Sequence, residues 1–226
     1  MASEEKKEYM EQIFQRLSEM SYIRPSDIPG IDLYMDQVTT FMDEHLEHMK
    51  RHDNDKMLTK TMINNYTKND LLPSPNKKKY SKEHMLLLIF IYYFKNVLPI
   101  GDIQEIIDPL TERYFGGKDE VTLEDIYLEV FSMEEEQIRT HMKDLIKKYD
   151  LAMSTFEQEE DPEKRRFLTD FSFLCTLCFD VYVKKTVIEH LIDSRILKGE
   201  EAEKDEKKAK KEKKEKKDKK ETGSDE

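Results

Sequence analysis

The chain has 226 residues, 38% of them charged, and its formal net charge is −11 at pH 7. Two cysteines are too few for a disulfide scaffold, and the longest unbroken apolar run, Met85 to Phe94, is too short to span a bilayer. Residues 1–20 also lack the apolar core of a signal peptide. The sequence therefore predicts a cytoplasmic protein with no membrane partner.

Helical spacing of apolar residues predicts the elements of the first half of the chain. A first helix ends before the proline-rich segment 25–30, and Asp32 is the predicted N-cap of a second. A short third helix spans about residues 59–69. Ser81 is the predicted N-cap of the helix with the long apolar run, which must be buried on nearly all sides. Pro99 opens another short helix.

The second half of the chain is predicted to be helical as well. Thr122 begins one helix, and Ser132 with Glu135 forms a capping box for the next. Asp161 and Pro162 suit the N-cap and first position of a long helix. No segment shows convincing strand alternation, so the predicted fold is mainly α, with at most a small hairpin near the lysines.

The distribution of charge singles out one segment. Residues 56–103 carry eight lysines against three acidic residues, a net charge of +5, whereas residues 1–55 carry −7 and residues 104–197 carry −10. Within the basic segment, three consecutive lysines (77–79) follow two prolines. A local basic face is typical of a surface that meets a polyanion, although a solvated lysine-rich loop is the commoner meaning of such a run.

The order of motifs in and after the basic segment is distinctive. A short helix holding Ile63 and Tyr66 is followed by "LLP", a basic loop, "YS", a helix of leucines and isoleucines, and "VLPIGDIQEI". This order, over roughly residues 59–110, resembles the winged helix-turn-helix of the MerR family of transcription regulators. With "DLYMDQVTTFMDEHL" in front, the chain looks more like an uncharacterised Gram-positive family, a domain of unknown function related to MerR proteins.

Composition and the resemblance together predict four regions. They are an N-terminal helix and linker (1–30), a MerR-like winged helix-turn-helix domain (31–112), a C-terminal helical bundle (113–197) and a charged tail (198–226). The tail has 12 lysines, 11 acidic residues and two alanines as its only apolar residues, so it cannot bury enough surface to order itself. We expect it to be disordered or transiently helical.

The predicted DNA-binding surface combines the polar face of a recognition helix (59–69) with a lysine-bearing wing (73–80). Asn pairs with adenine in the major groove, whereas Lys and Thr suit phosphates. Asn64 stands where the MerR pattern has its first Arg, so binding should depend more on phosphate than in that family. The candidate contact residues are Lys60, Thr61, Asn64, Asn65, Lys68, Lys77, Lys78, Lys79 and Tyr80.

We therefore predict a transcription regulator that binds double-stranded DNA, with no enzymatic activity and no cofactor; the small-molecule effector is not predicted. The alternative is a protein-interaction adaptor that keeps the fold without specific DNA binding, which the acidic halves and Asn64 favour. A homodimer through residues 132–197 is also predicted, because a two-heptad apolar seam runs along the helix after Ser132. The seam residues are Ile138, Met142, Leu145, Tyr149 and Ala152. The same helices could instead cover each other inside one bundle.

Two smaller motifs are interpreted as structural. His45, His48 and His52 lie on one helical face, yet no second cluster of ligands accompanies them, so we predict a polar helix end and no metal site. Cys175 and Cys178 form a C-x-x-C inside a strongly apolar helix, where buried thiols are more common than a redox pair.

Overall fold

The structure is a computed structural model that describes residues 2–19, 22–52, 54–55, 57–117 and 119–194. Eight α-helices, a short 3-10 helix at Glu47–Met49 and two short strands occur within those residues. In chain order they are α1 (Ala2–Glu19), β1 (Leu33–Tyr34), α2 (Met35–His45), α3 (Lys60–Lys68), β2 (Lys79–Tyr80), α4 (Lys82–Lys95), α5 (Ile100–Tyr114), α6 (Leu123–Ser132), α7 (Glu134–Met153) and α8 (Pro162–Asp193).

The predicted mainly helical fold is confirmed. The chain divides into two compact units, Met1–Lys185 and Thr186–Glu226. In the second unit the structure describes only residues 186–194, which form the last turns of α8 and a closing bond from the Ser194 amide to the His190 carbonyl at 3.0 Å. The predicted tail at 198–226 lies outside the described residues.

A two-stranded antiparallel sheet joins the start of α2 to the lysine-bearing loop. Leu33 pairs with Tyr80 and Tyr34 with Lys79, so the strands come from positions more than forty residues apart. The sequence analysis allowed at most a small hairpin near the lysines and did not predict the strand that precedes α2. Asp32 is therefore not the N-cap of the second helix, because β1 intervenes and Tyr34 occupies the cap position.

Helix α4 forms the centre of the core, as its unbroken apolar run predicts. The eight consecutive residues from Met85 to Tyr92 are all buried, and α5 and α6 pack against this helix. Tyr127 of α6 is fully buried; its hydroxyl donates to the Ile23 carbonyl at 2.7 Å, and its ring meets Phe90 at 5.3 Å. Burial raises the pKa of the Tyr127 phenol, so this side chain stays neutral and acts as a donor.

A second apolar cluster joins α1, α7 and α8. Met10, Tyr149, Ala152 and Phe173 are buried in it, with Leu145 packed at its edge. Three residues of the predicted dimer seam thus pack inside the chain, so the alternative of helices covering each other holds for this part of α7. A homodimer remains a prediction, but this seam is the wrong place for it.

The N-terminal caps of the last three helices were predicted from the sequence, and the structure agrees with two of the three predictions. Thr122 caps α6 by accepting a bond from the Asp125 amide at 3.1 Å, and Asp161 accepts from the Glu163 amide at 2.9 Å at the start of α8. Both caps were predicted. The capping box at Ser132 is wrong, because α6 continues to that residue and its hydroxyl donates back to the Glu129 carbonyl at 2.7 Å.

Candidate nucleic-acid interface

Helix α3 begins and ends close to the predicted positions. The Thr59 hydroxyl accepts a hydrogen bond from the Met62 amide at 3.2 Å, which satisfies one amide of the first turn. Ile63 and Tyr66 are buried on the inner face. The outer face carries five polar side chains, all exposed: Lys60, Thr61, Asn64, Asn65 and Lys68. The structure therefore brings the predicted recognition residues together on one accessible surface.

A left-handed residue closes α3. Asp70 has φ of 59°, and the amide of Leu71 then bonds the Tyr66 carbonyl at 2.9 Å. Asp tolerates this conformation better than most residues, because it visits the left-handed region more readily. Leu71 and Leu72 turn inward and are buried, so the chain leaves α3 in a fixed direction.

The three lysines occupy a tight turn, residues 76–79, which we call the lysine turn. Lys77 and Lys78 both have positive φ, 49° and 66°, and the Lys79 amide bonds the Asn76 carbonyl at 2.9 Å. Two positive φ values at the central positions define a type I′ turn, which normally selects Asn and Gly. Lys77 and Lys78 are therefore each held in a conformation that costs about 1 kcal/mol or more, and both of these side chains are exposed at the tip of the turn.

The base of the lysine turn is buried. Tyr80 is only 3% exposed, so we remove it from the predicted contact residues: its ring is part of the core and cannot reach a ligand. The Tyr80 ring lies edge-on to His84 at 5.6 Å. Burial raises the pKa of the Tyr80 phenol, and a hydrogen bond with the Thr67 side chain on α3 lowers it by less. Tyr80 thus connects the lysine turn to α3.

His84 fixes the start of α4 beneath the lysine turn. Its Nδ1 accepts a bond from the Ser81 amide at 3.0 Å, so Ser81 is the N-cap residue, as predicted, and the proton of the neutral ring lies on Nε2. Burial lowers the pKa of His84, and the nearby backbone of Ser74 and Pro73 and the charge of Asp32 oppose this more weakly. The buried Nε2 has no well-aligned hydrogen-bond partner among the described residues.

The predicted contact residues include five lysines, and two of these have a charged or aromatic side chain close to the ammonium group. Lys60 forms an exposed ion pair with Asp36 at the start of α2. The ammonium of Lys79 lies 5.2 Å from the centre of the Tyr34 ring, across the two-stranded sheet. Lys68, Lys77 and Lys78 are exposed and make no ion pair within the part of the chain that the structure describes. The charge available to a ligand is concentrated on these three.

The other predicted motifs belong to other elements of the chain. The His45 Nδ1 bonds the Phe41 carbonyl at 2.9 Å where α2 ends, and the described residues include no group of three potential metal ligands. The thiols of Cys175 and Cys178 are exposed, so the prediction of buried cysteines is wrong. Among the described helices, none is long and apolar enough to cross a membrane.

Comparison with known proteins finds one family match over part of the chain. Residues 23–130 match a family described as a Domain of unknown function (DUF1836). The matched range includes α2 to α5, both strands and most of α6, and therefore the lysine turn and the core around α4. No curated protein and no solved structure was found to match the chain. The family description carries no activity with it.

Proposed function

We propose that this protein is a DNA-binding transcription regulator in which α3 and the lysine turn together contact duplex DNA. The observation that carries the proposal is the conformation of Lys77 and Lys78. Both lysines occupy left-handed positions that Asn or Gly would fill at lower cost, and both side chains are exposed. Strained residues persist where the strain serves a function, and here it presents two positive charges on a rigid tip.

The outer face of α3 supplies what the lysine turn lacks. Lysines act as point charges on phosphate and carry no sequence information, whereas a carboxamide can pair with a base edge. Asn64 and Asn65 are exposed on α3, with Lys68 one turn further on. In this proposal the asparagines contact adenine in the major groove, while Lys68, Lys77 and Lys78 contact the phosphates beside it.

The dependence of DNA binding on salt tests this arrangement. If Lys68, Lys77 and Lys78 each meet one phosphate, the logarithm of the binding constant should fall against the logarithm of salt concentration with a slope of about −2.7 per protomer. The Lys77→Glu, Lys78→Glu variant should reduce this slope by about two-thirds and weaken binding at low salt. Fluorescence anisotropy with a labelled duplex measures both quantities.

A matched variant controls for the change in overall charge. Lys143 and Lys147 are exposed on α7, so Lys143→Glu, Lys147→Glu changes the net charge equally on a helix outside the proposed interface. This control should bind DNA almost as the wild type does. Equal losses in the two variants would mean that only net charge matters, and an unaltered affinity in the lysine-turn variant would remove the turn from the interface.

A protein-interaction adaptor is the second candidate function. Asp36 neutralises Lys60, and the Tyr34 ring holds Lys79, so the basic surface is smaller than the sequence suggests. Residues 46–59 separate α2 from α3, a longer connection than the roughly 3–4 residues of most helix-turn-helix motifs. An affinity for duplex DNA that is weak at 50 mM salt and indifferent to the lysine turn would favour this function.

A further inference from the structure

One side of α8 exposes a continuous apolar surface. Phe173 and Leu177 face the cluster with α1 and α7, whereas six apolar residues elsewhere around the helix are each more than half exposed. They are Phe167, Phe171, Leu174, Phe179, Val181 and Tyr182. The exposed Cys175 and Cys178 lie among them. These eight residues are called the α8 face below.

The size of the α8 face matches a protein interface. Large apolar and aromatic side chains present about 150–250 Å² each when fully accessible, so six of them at more than half exposure present about 700 Å². The largest apolar patch on a typical monomer is roughly 300–600 Å². A standard interface buries about 800 Å² on each partner. The α8 face therefore comes close to the area that a standard interface buries on each partner.

The charges on this part of α8 indicate what kind of partner fits. Between Phe167 and Val183 the charged residues are Asp170 and Asp180, and Asp180 bonds Lys148 of α7 at 2.9 Å. An uncharged face gives a charged peptide or a nucleic acid nothing to bind. It does suit a second copy of this chain, because an uncharged contact places no like charges directly opposite each other between two molecules that each carry −11.

The residue pattern of the α8 face is self-complementary. Phe171, Cys175, Cys178 and Tyr182 follow each other at steps of four, three and four, which is the spacing of a helical seam. An antiparallel pair of such helices, centred between the cysteines, sets Phe171 of each copy against Tyr182 of the other. It also sets the two cysteines of one copy against those of the other, and these small residues allow close approach of the helices.

We propose that the α8 face is a self-association surface on which a second copy of the chain packs antiparallel about a twofold axis near Cys175 and Cys178. Each contact between two different residues then occurs twice, as a closed twofold interface requires. The proposal does not depend on DNA binding, because it uses none of the residues of α3 or the lysine turn. It replaces the seam on α7 that the sequence predicted.

Light scattering behind size-exclusion chromatography tests the proposal on the full chain. The wild type should have a mass of twice 27.1 kDa at micromolar concentration. Phe171→Glu alone and Tyr182→Lys alone should each give the monomer mass, because each buries an unpaired charge. The double variant should recover the dimer, since the antiparallel arrangement sets the new acid opposite the new base at both symmetric positions.

A control variant changes an exposed apolar residue that does not belong to the α8 face. Leu151→Glu changes an exposed apolar residue of α7 outside the α8 face and should leave the dimer intact. Circular dichroism checks that every variant keeps its helices. A wild-type mass of 27.1 kDa up to 100 µM would overturn the proposal, as would a dimer that both single variants leave intact. A double variant that stays monomeric would overturn the antiparallel register.

Discussion

His84 is the buried residue that joins the lysine turn to the core. Its ring packs edge-on against Tyr80 and, at 4.8 Å, against Phe115, while its Nδ1 receives the Ser81 amide. The sequence showed that Ser81 would cap α4, because a serine before an apolar helix is a local signal. It did not show that a histidine would complete the capping box, since Glu or Gln usually occupies that position.

The depressed pKa of His84 predicts a dependence of stability on pH. The folded state keeps this imidazole neutral, whereas the unfolded chain takes up a proton near its ordinary pKa of 6.5. The free energy of unfolding therefore falls as the pH drops below about 6.5, and it continues to fall until the lowered folded pKa is reached. The loss is up to about 1.4 kcal/mol per pH unit within that window.

His84→Gln isolates this contribution. Gln retains an acceptor for the Ser81 amide but does not titrate, so its stability should change less than that of the wild type between pH 7.5 and pH 5.5. Urea unfolding of both proteins at the two pH values gives the comparison, and the loss of ring packing against Tyr80 and Phe115 cancels in the difference. Parallel pH profiles would show that the pKa of His84 is the same in the folded and unfolded states and would contradict the prediction.

The lysine turn is the element whose conformation the sequence did not reveal. Proline and lysine content predicted a basic loop, but Lys77 and Lys78 carry no signal for positive φ, which Asn or Gly would have given. The turn is fixed by the pairing of β2 with β1, and these two strands are more than forty residues apart in the chain. Local chemistry thus predicted the position of the loop, while its shape depends on tertiary structure.

Relief of the strain in this turn should separate stability from function. Lys77→Asn, Lys78→Gly supplies the residues that a type I′ turn prefers, so we expect it to stabilise the fold by about 1–2 kcal/mol, while it weakens DNA binding through the loss of two charges. Thermal unfolding and anisotropy measure the two effects. A lower melting temperature in this variant would mean that the lysines are not strained.

Helices α7 and α8 show why amphipathic patterns leave the partner undetermined. The seam on α7 has the spacing of an interface between helices, and it is one, but its partners are α1 and α8 of the same chain. Helix α8 is apolar on several sides, so periodicity could not indicate which side is buried. That ambiguity led to the prediction of buried cysteines, whereas the structure exposes them.

At the scale of the whole molecule, the proposed DNA-binding surface and the α8 face lie on different helices. The segment that matches DUF1836, residues 23–130, includes α3 and the lysine turn, and the α8 face lies beyond the matched range. A single short helix reads few bases, so specific recognition benefits from a twofold dimer that places two copies of α3 on half-sites about 34 Å apart. The proposed self-association and the proposed function are consistent, although each can fail alone.

Selection of bound fragments from the native genome tests the central claim, sequence-specific DNA binding through α3 and the lysine turn, most directly. The full-length protein should enrich a small set of fragments that share a palindromic sequence, with half-sites one helical turn apart. The Lys77→Glu, Lys78→Glu variant should lose that enrichment. Recovery of fragments with no shared sequence, or the same enrichment with that variant, would contradict the account.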